Sequence, residues 1–155
     1  TCAYTFRKHY AASGAEIKAE VLHISEYLAG NMGKLGTMAL SELSRVVYHD
    51  SCTLARKLGI MEEPRSVIRR IGNVELGEPF YGGENTSCCG RGGTLKYADK
   101  ALCEEIGNSR KEHLLEYGDT VITACPSCKY SLNGAGEKGR TMDITELVAE
   151  GLGED

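Results

Sequence analysis

The segment Thr120-Val121-Ile122-Thr123-Ala124-Cys125-Pro126-Ser127-Cys128 decides the fold. Its first five residues are β-branched or small and apolar, the composition of a short buried strand. Proline then stands where it is favoured at the start of a helix, so a strand runs directly into a helix with a cysteine at the junction. The same order recurs upstream. Arg45-Val46-Val47-Tyr48-His49 reads as a buried strand leading into Asp50-Ser51-Cys52, and Cys52 to Gly59 makes a helical turn or two closed by glycine.

Between these two junctions, Glu63-Pro64-Arg65 opens a helix that turns Val67, Ile68 and Ile71 inward. A weaker strand from Val74 to Tyr81 leads into the glycine-dense loop that contains Ser87-Cys88-Cys89-Gly90-Arg91-Gly92-Gly93. Leu95 to Tyr117 reads as one long helix, with Ala98, Leu102, Ile106, Arg110 and Leu114 stepping along it and Gly118 ending it. Toward the N-terminus, Ile17, Val21, Ile24 and Leu28 recur at helical spacing and predict an amphipathic helix from Ala15 to Gly30, followed by a linker from Asn31 to Thr37. Toward the C-terminus, a Gly-rich stretch from Asn133 to Gly139 precedes a last helix from about Asp143 to Ala149. The alternation of strands and helices predicts an α/β fold, a Rossmann-like parallel sheet flanked by helices and joined by right-handed crossovers. Sites in such folds collect at the carboxyl ends of the strands. Cys52, Cys88, Cys89 and Cys125 all follow predicted strands.

Length and charge narrow the function. A chain of 155 residues fits one domain, which buries about 70% of its unfolded surface and needs no metal merely to acquire a core. With 18 basic against 22 acidic residues, a net charge of -4 and no dense basic stretch, nucleic acid is not an expected partner. No apolar run approaches the ~20 residues of a membrane span, and Thr1 to Ala12 lacks the hydrophobic centre of a secretory signal. A cytoplasmic location is therefore expected, either free or peripheral to a membrane complex. The seven cysteines are odd in number in a chain that is not small, so metal ligands or catalytic thiols are expected in place of a disulfide framework. The chain begins at Thr1 without methionine and reads as a fragment or an excised domain.

The cysteine spacing is regular. Thirty-five residues separate Cys52 from Cys88, and 35 separate Cys89 from Cys125. Each gap has the length of one βαβ unit, which can return its cysteine to the same sheet edge. Cys125 and Cys128 form a CxxC pair able to share one metal centre, as in zinc ribbons, iron-sulfur proteins and thioredoxin-like sites. Cys52 and Cys125 stand at helix starts, where amide groups and the helix dipole favour thiolate. Adjacent Cys88 and Cys89 would diverge in regular structure, but Gly90, Gly92 and Gly93 allow positive φ and let the loop aim both sulfurs at one centre. A single zinc ion takes four ligands. Five convergent cysteines suggest a polynuclear cluster in which one sulfur bridges two irons.

Cys52, the Cys88-Cys89-Gly90 triplet and Cys125-Pro126-Ser127-Cys128 resemble the cysteine-rich CCG domain of heterodisulfide reductases and of iron-sulfur proteins associated with glycerol-3-phosphate, glycolate and lactate oxidation. The resemblance covers about Val46 to Leu132, including Tyr48-His49-Asp50 and Glu63-Pro64-Arg65. It implies a noncubane [4Fe-4S] cluster held by Cys52, Cys88, Cys89, Cys125 and Cys128. The cluster would serve electron transfer or disulfide cleavage, with a ferredoxin-like iron-sulfur subunit or domain and a flavin-containing subunit as partners. Some related modules hold zinc. Residues 1–14 are similar to the tail of a preceding cysteine-rich domain, with Cys2 matching its last cysteine, and 15–155 form the CCG domain itself. Ser51 and Thr53 depart from the family's usual proline and histidine around the first cysteine, and Arg91 interrupts the glycine loop.

Two alternatives stay open: a structural zinc site, and a thiol-disulfide oxidoreductase working through Cys125 and Cys128. His49 is a candidate proton donor or metal ligand beside Cys52, whereas His9, His23 and His113 receive no role. Cys103 is expected in the core. Arg56, Arg91 and Lys129 lie near the cysteines in sequence and are candidates to offset the charge of a thiolate cluster. Tyr48 and Tyr130 read as packing residues.

Overall fold

The computed structural model describes residues 2–135 and 139–153. A four-stranded parallel sheet runs in the order β2-β1-β3-β4. The strands are β1, Ala39–His49; β2, Gly72–Gly77; β3, Thr120–Thr123; and β4, Arg140–Asp143. The expected α/β class and parallel sheet are thus present. Because side chains alternate across a strand, neighbouring residues of β1 and β3 feed two different cores. Val46, Tyr48 and Ile122 pack with Leu28, Val67, Ile68 and Leu147, against α2 (Ile24–Asn31), α3 (Glu62–Arg69) and α7 (Ile144–Leu152). Val47 and Val121 pack on the opposite face with Leu114 and Leu132, against α5 (Lys100–Leu115) and α6 (Pro126–Asn133).

The chain leaves β1 toward β2 on one side and returns to β3 on the other, so the strand order reverses between β1 and β3. His49 pairs with Thr123 at that point. This is where an open α/β sheet leaves a crevice beyond its strand ends.

Four expectations are corrected. The predicted helix over 15–30 exists only from Ile24. His23 caps it with a side-chain acceptor and a reciprocal Glu26, and Arg7 reaches Val21 O at 2.7 Å and Glu26 at 2.6 Å, so tertiary contacts hold the preceding segment extended. The long helix over 95–117 is broken into α4, Leu95–Ala98, and α5, because Asp99 is extended and its carboxylate caps the amide of Leu102 at 2.9 Å. The buried face of α5 is Cys103, Gly107, Arg110, Lys111 and Leu114, while Leu102 is exposed. β1 begins six residues before Arg45, in an exposed stretch whose sequence carries no strand pattern, and β4 is a strand that the sequence pattern does not predict. The expected Gly-rich stretch over 133–139 lies partly outside the described residues.

Candidate metal centre

Each cysteine reaches the strand ends by a different route. Cys125 is the N-cap of α6, with Pro126 in the first turn and Cys128 one turn on, so both sulfurs lie at the carboxyl end of β3. Cys52 follows β1 by three residues and begins the turn that continues into Leu54–Leu58 and closes at Gly59 with φ 69°. Cys88 and Cys89 do not follow a strand end directly, because β2 stops at Gly77. A clamped loop carries them back instead. Asp50 Oδ2 accepts from the Gly83 amide at 2.8 Å, the Thr86 hydroxyl donates to Asp50 O at 2.9 Å, and Arg56 donates to the carbonyls of Glu84 and Thr86. Asp50 is itself gripped by Arg65 through two bonds of 2.8 and 2.7 Å.

Glycine at position 90 is required by contact as well as by conformation. Its φ is +82°, and a Cβ there would lie 2.3 Å from the carbonyl oxygen of Cys103 on α5. Ser131 fixes the neighbouring Cys89 carbonyl at 2.6 Å from the α6 side. Gly90→Ala is therefore expected to cost roughly 2–4 kcal/mol, the sum of left-handed strain and a displaced backbone. It should also separate Cys89 from α6; urea unfolding and metal binding of the variant check both.

Four of the sulfurs meet. Cys88 and Cys89, Cys89 and Cys128, and Cys128 and Cys125 lie near enough to shift one another's titration. Cys89, Cys125 and Cys128 are buried, and Cys88 is exposed. Cys88 borders a cleft of about 420 Å³ lined also by Tyr81, Ile106, Arg110 and His113. Cys52 is half-buried and, among the described residues, is not hydrogen-bonded into the chain of four. Cys103 lies on the buried face of α5, as expected of a packing residue, and Cys2 is exposed.

Hydrogen bonds from Cys128 and Cys88 hold the Cys89 thiol far below its usual range, against the cost of burial, with help from His49. Cys125 is lowered to about 5 by its bond with Cys128, again against burial, with added support from backbone amides and the Ser51 side chain. Cys88 and Cys128 move upward because they are hydrogen-bonded to those neighbours, and burial adds to the rise. The lowered thiols of Cys89 and Cys125 favour metal binding, since thiolate is the ligand. In the metal-free chain, thiolate absorbance from Cys125 is expected to titrate near pH 5, as a comparison with Cys125→Ser would resolve. A folded pKa below the unfolded value near 9 stabilises the fold fully above pH 9, and that contribution is lost as pH falls through about 5.

His49 is 1% exposed and sits at the end of β1 on the α5 face. Among the described residues its Nε2 has no hydrogen-bond partner, and a ring nitrogen of His49 lies with the sulfurs of Cys89 and Cys128 within 4.8 Å of one another. The cation beside this cluster is Arg110, 3% exposed, which donates to His49 Nδ1 at 3.3 Å. The cations flagged by sequence proximity are engaged elsewhere. Arg56 holds the loop at 84–86, Arg91 stacks on exposed Tyr130 at 3.8 Å, and Lys129 pairs with Glu146 at 2.6 Å. Tyr48 is fully buried, with its hydroxyl unpartnered. Sequence reasoning does not find Arg110 or the Asp50-Arg65 pair as site residues; a charged residue at an inward helical position is the available signal for Arg110.

The sequence over residues 46–133 matches the CCG cysteine-rich domain family. The chain belongs to this family. Among similar proteins, the CCG chain is 32% identical to a fumarate reductase (CoM/CoB) subunit from Methanothermobacter marburgensis, over 99% of its own length and 31% of that protein. It is 34% identical to a dihydromethanophenazine:CoB-CoM heterodisulfide reductase subunit from Methanosarcina barkeri, over 90% of its own length and 36% of the relative. A Bacillus subtilis protein named as a probable iron-sulfur-binding oxidoreductase is 34% identical over 95% of the chain and 22% of its own length. The CCG chain thus spans about a third or less of these relatives. No solved structure matches. Among the described residues, no helix is long and apolar enough to cross a membrane.

Proposed function

We propose that Cys52, Cys88, Cys89, Cys125 and Cys128 hold one iron-sulfur cluster, of the noncubane [4Fe-4S] type, and that the domain is an electron-transfer module of a heterodisulfide reductase-like oxidoreductase. The observation that carries this reading is the grouping of His49, Cys89 and Cys128 within 4.8 Å, beside the buried Arg110 and next to Cys88 and Cys125 in the chain. Cysteine sulfurs are the ligands of iron-sulfur clusters, so the residues fit the cofactor that the relatives' names suggest. When bound, the cluster supplies one-electron redox chemistry. The chain's own residues would hold it, offset its charge and shield the Cys89, Cys125 and Cys128 side from water, leaving Cys88 exposed and Cys52 half-buried. That side faces the cleft, which is the approach open to a disulfide substrate. Electrons would arrive from a ferredoxin-like iron-sulfur subunit or domain or a flavin-containing subunit of a cytoplasmic or membrane-peripheral complex. Residues 1–14 read as the tail of a preceding cysteine-rich domain.

One observation favours a second reading. The four sulfurs already in contact match the ligand number of a structural zinc ion, with Cys52 left over. Cys125 with a pKa of about 5 also suits a thiol-disulfide enzyme, although burial of both Cys125 and Cys128 keeps a disulfide substrate away from them. Iron, zinc and acid-labile sulfide content of protein purified without oxygen decides. About four irons and four sulfides per chain are expected; about one zinc per chain moves the assignment to the structural site.

A further inference from the structure

Arg110 is buried at 3% exposure, yet among the described residues no carboxylate pairs with it, because Asp50 is taken by Arg65. Its donors go to neutral acceptors: His49 Nδ1 at 3.3 Å, His113 Nδ1 at 3.1 Å, Tyr81 O at 2.9 Å and Thr86 Oγ1 at 3.4 Å. A guanidinium stays charged when buried, so its compensation must come from something other than these partners. Beyond Asp50, the groups whose ionised form would attract Arg110 are the sulfurs of Cys89 and Cys128, beside His49.

The hydrogen bond to His49 has a second consequence. Arginine has donors only, so His49 Nδ1 must accept, and the single proton of a neutral imidazole is left on Nε2. That Nε2-H is buried and lacks a partner, on a ring that brings a nitrogen to within 4.8 Å of the sulfurs of Cys89 and Cys128. A nitrogen that carries a proton does not ligate metal. We propose that Arg110 is a positioning residue that holds His49 as the Nε2-H tautomer, so that His49 donates a hydrogen bond to a sulfur of the cluster while the guanidinium offsets the cluster's negative charge. The proposal rests on the cluster reading above. Cation and donor both favour the reduced, more negative state, by the rule that hydrogen bonds and charge around the sulfurs set cluster potential.

The test is a potentiometric titration of anaerobically reconstituted wild type, Arg110→Gln, Arg110→Lys, His49→Phe and the Arg110→Gln/His49→Phe double variant, each assayed for iron and sulfide. Arg110→Gln is expected to keep the wild-type iron content but to be harder to reduce by about tenfold in equilibrium constant, about 59 mV for one electron. Lysine, which keeps the charge, should recover part of the shift. His49→Phe should move the potential the same way, and the double variant by less than the sum, since one residue acts through the other. Should Arg110→Gln fail to fold or load, His49→Phe reads the donor, and ¹⁵N shifts of His49 read the tautomer, expected as Nε2-H. An unshifted potential in a loaded variant, or an Nδ1-H tautomer, overturns the relay alone. A wild-type chain that takes up no iron overturns the cluster reading and the relay with it.

Discussion

Cys89→Ser is expected to reduce bound iron and sulfide by more than tenfold after anaerobic reconstitution, while the fold survives. Loss of an outer partner alone costs 10–100-fold in metal affinity, and Cys89 is one of the two inner sulfurs, next to both Cys88 and Cys128. The decisive comparison is with Cys52→Ser. Cys52 stands outside the chain of four, half-buried at the end of β1. If five thiolates share one cluster, Cys52→Ser should also lose most of the iron and disturb the spectrum; if the site is zinc, the same substitution should be silent. Cys103→Ser serves as the control and should leave the metal content near wild type.

The second large effect is on stability. Arg65 forms a two-bond grip on Asp50, which is 1% exposed, and its Nε reaches Glu78 at 2.9 Å. Removing one member of a buried pair leaves the other charge stranded, which costs about 3–5 kcal/mol. Arg65→Met should therefore lower the melting temperature by roughly 10 °C. It should also loosen the loop at 83–86, since Asp50 anchors Gly83 and Thr86 as well. Glu78→Gln removes only the half-exposed partner and should cost under about 1 kcal/mol. Equal losses for the two variants would mean that Glu78, and not Asp50, is the partner that matters. Thermal unfolding followed by circular dichroism separates the two.

The strands that carry the site are legible because β-branched residues end at cysteine and proline, as at Val121 to Pro126. The convergence of Cys88, Cys89, Cys125 and Cys128 is legible from equal spacing. What the sequence conceals is mostly long-range. Nothing local marks Asp99 as a helix break, since aspartate is tolerated inside helices until its side chain caps the next one. Ile17 and Val21 keep helical spacing, but Arg7 bonds the backbone there into an extended path. Arg110 looks like one polar step on an amphipathic helix, and its burial against His49 follows from a contact between residues 61 apart. The motif Tyr48-His49-Asp50 is visible as a pattern; its reason, one residue each for the core, the sulfurs and the loop clamp, requires the packing.

Because the two faces of the sheet are built from separate side-chain sets, the hydrocarbon core beneath α2, α3 and α7 contains no cysteine among the described residues, and the buried sulfurs of Cys89, Cys125 and Cys128 belong to the other face. On the proposed cluster reading, loss of the centre would loosen only the α5 and α6 side, whose core includes Cys89, Cys125 and Cys128, while the opposite layer would keep its packing as a frame for reloading.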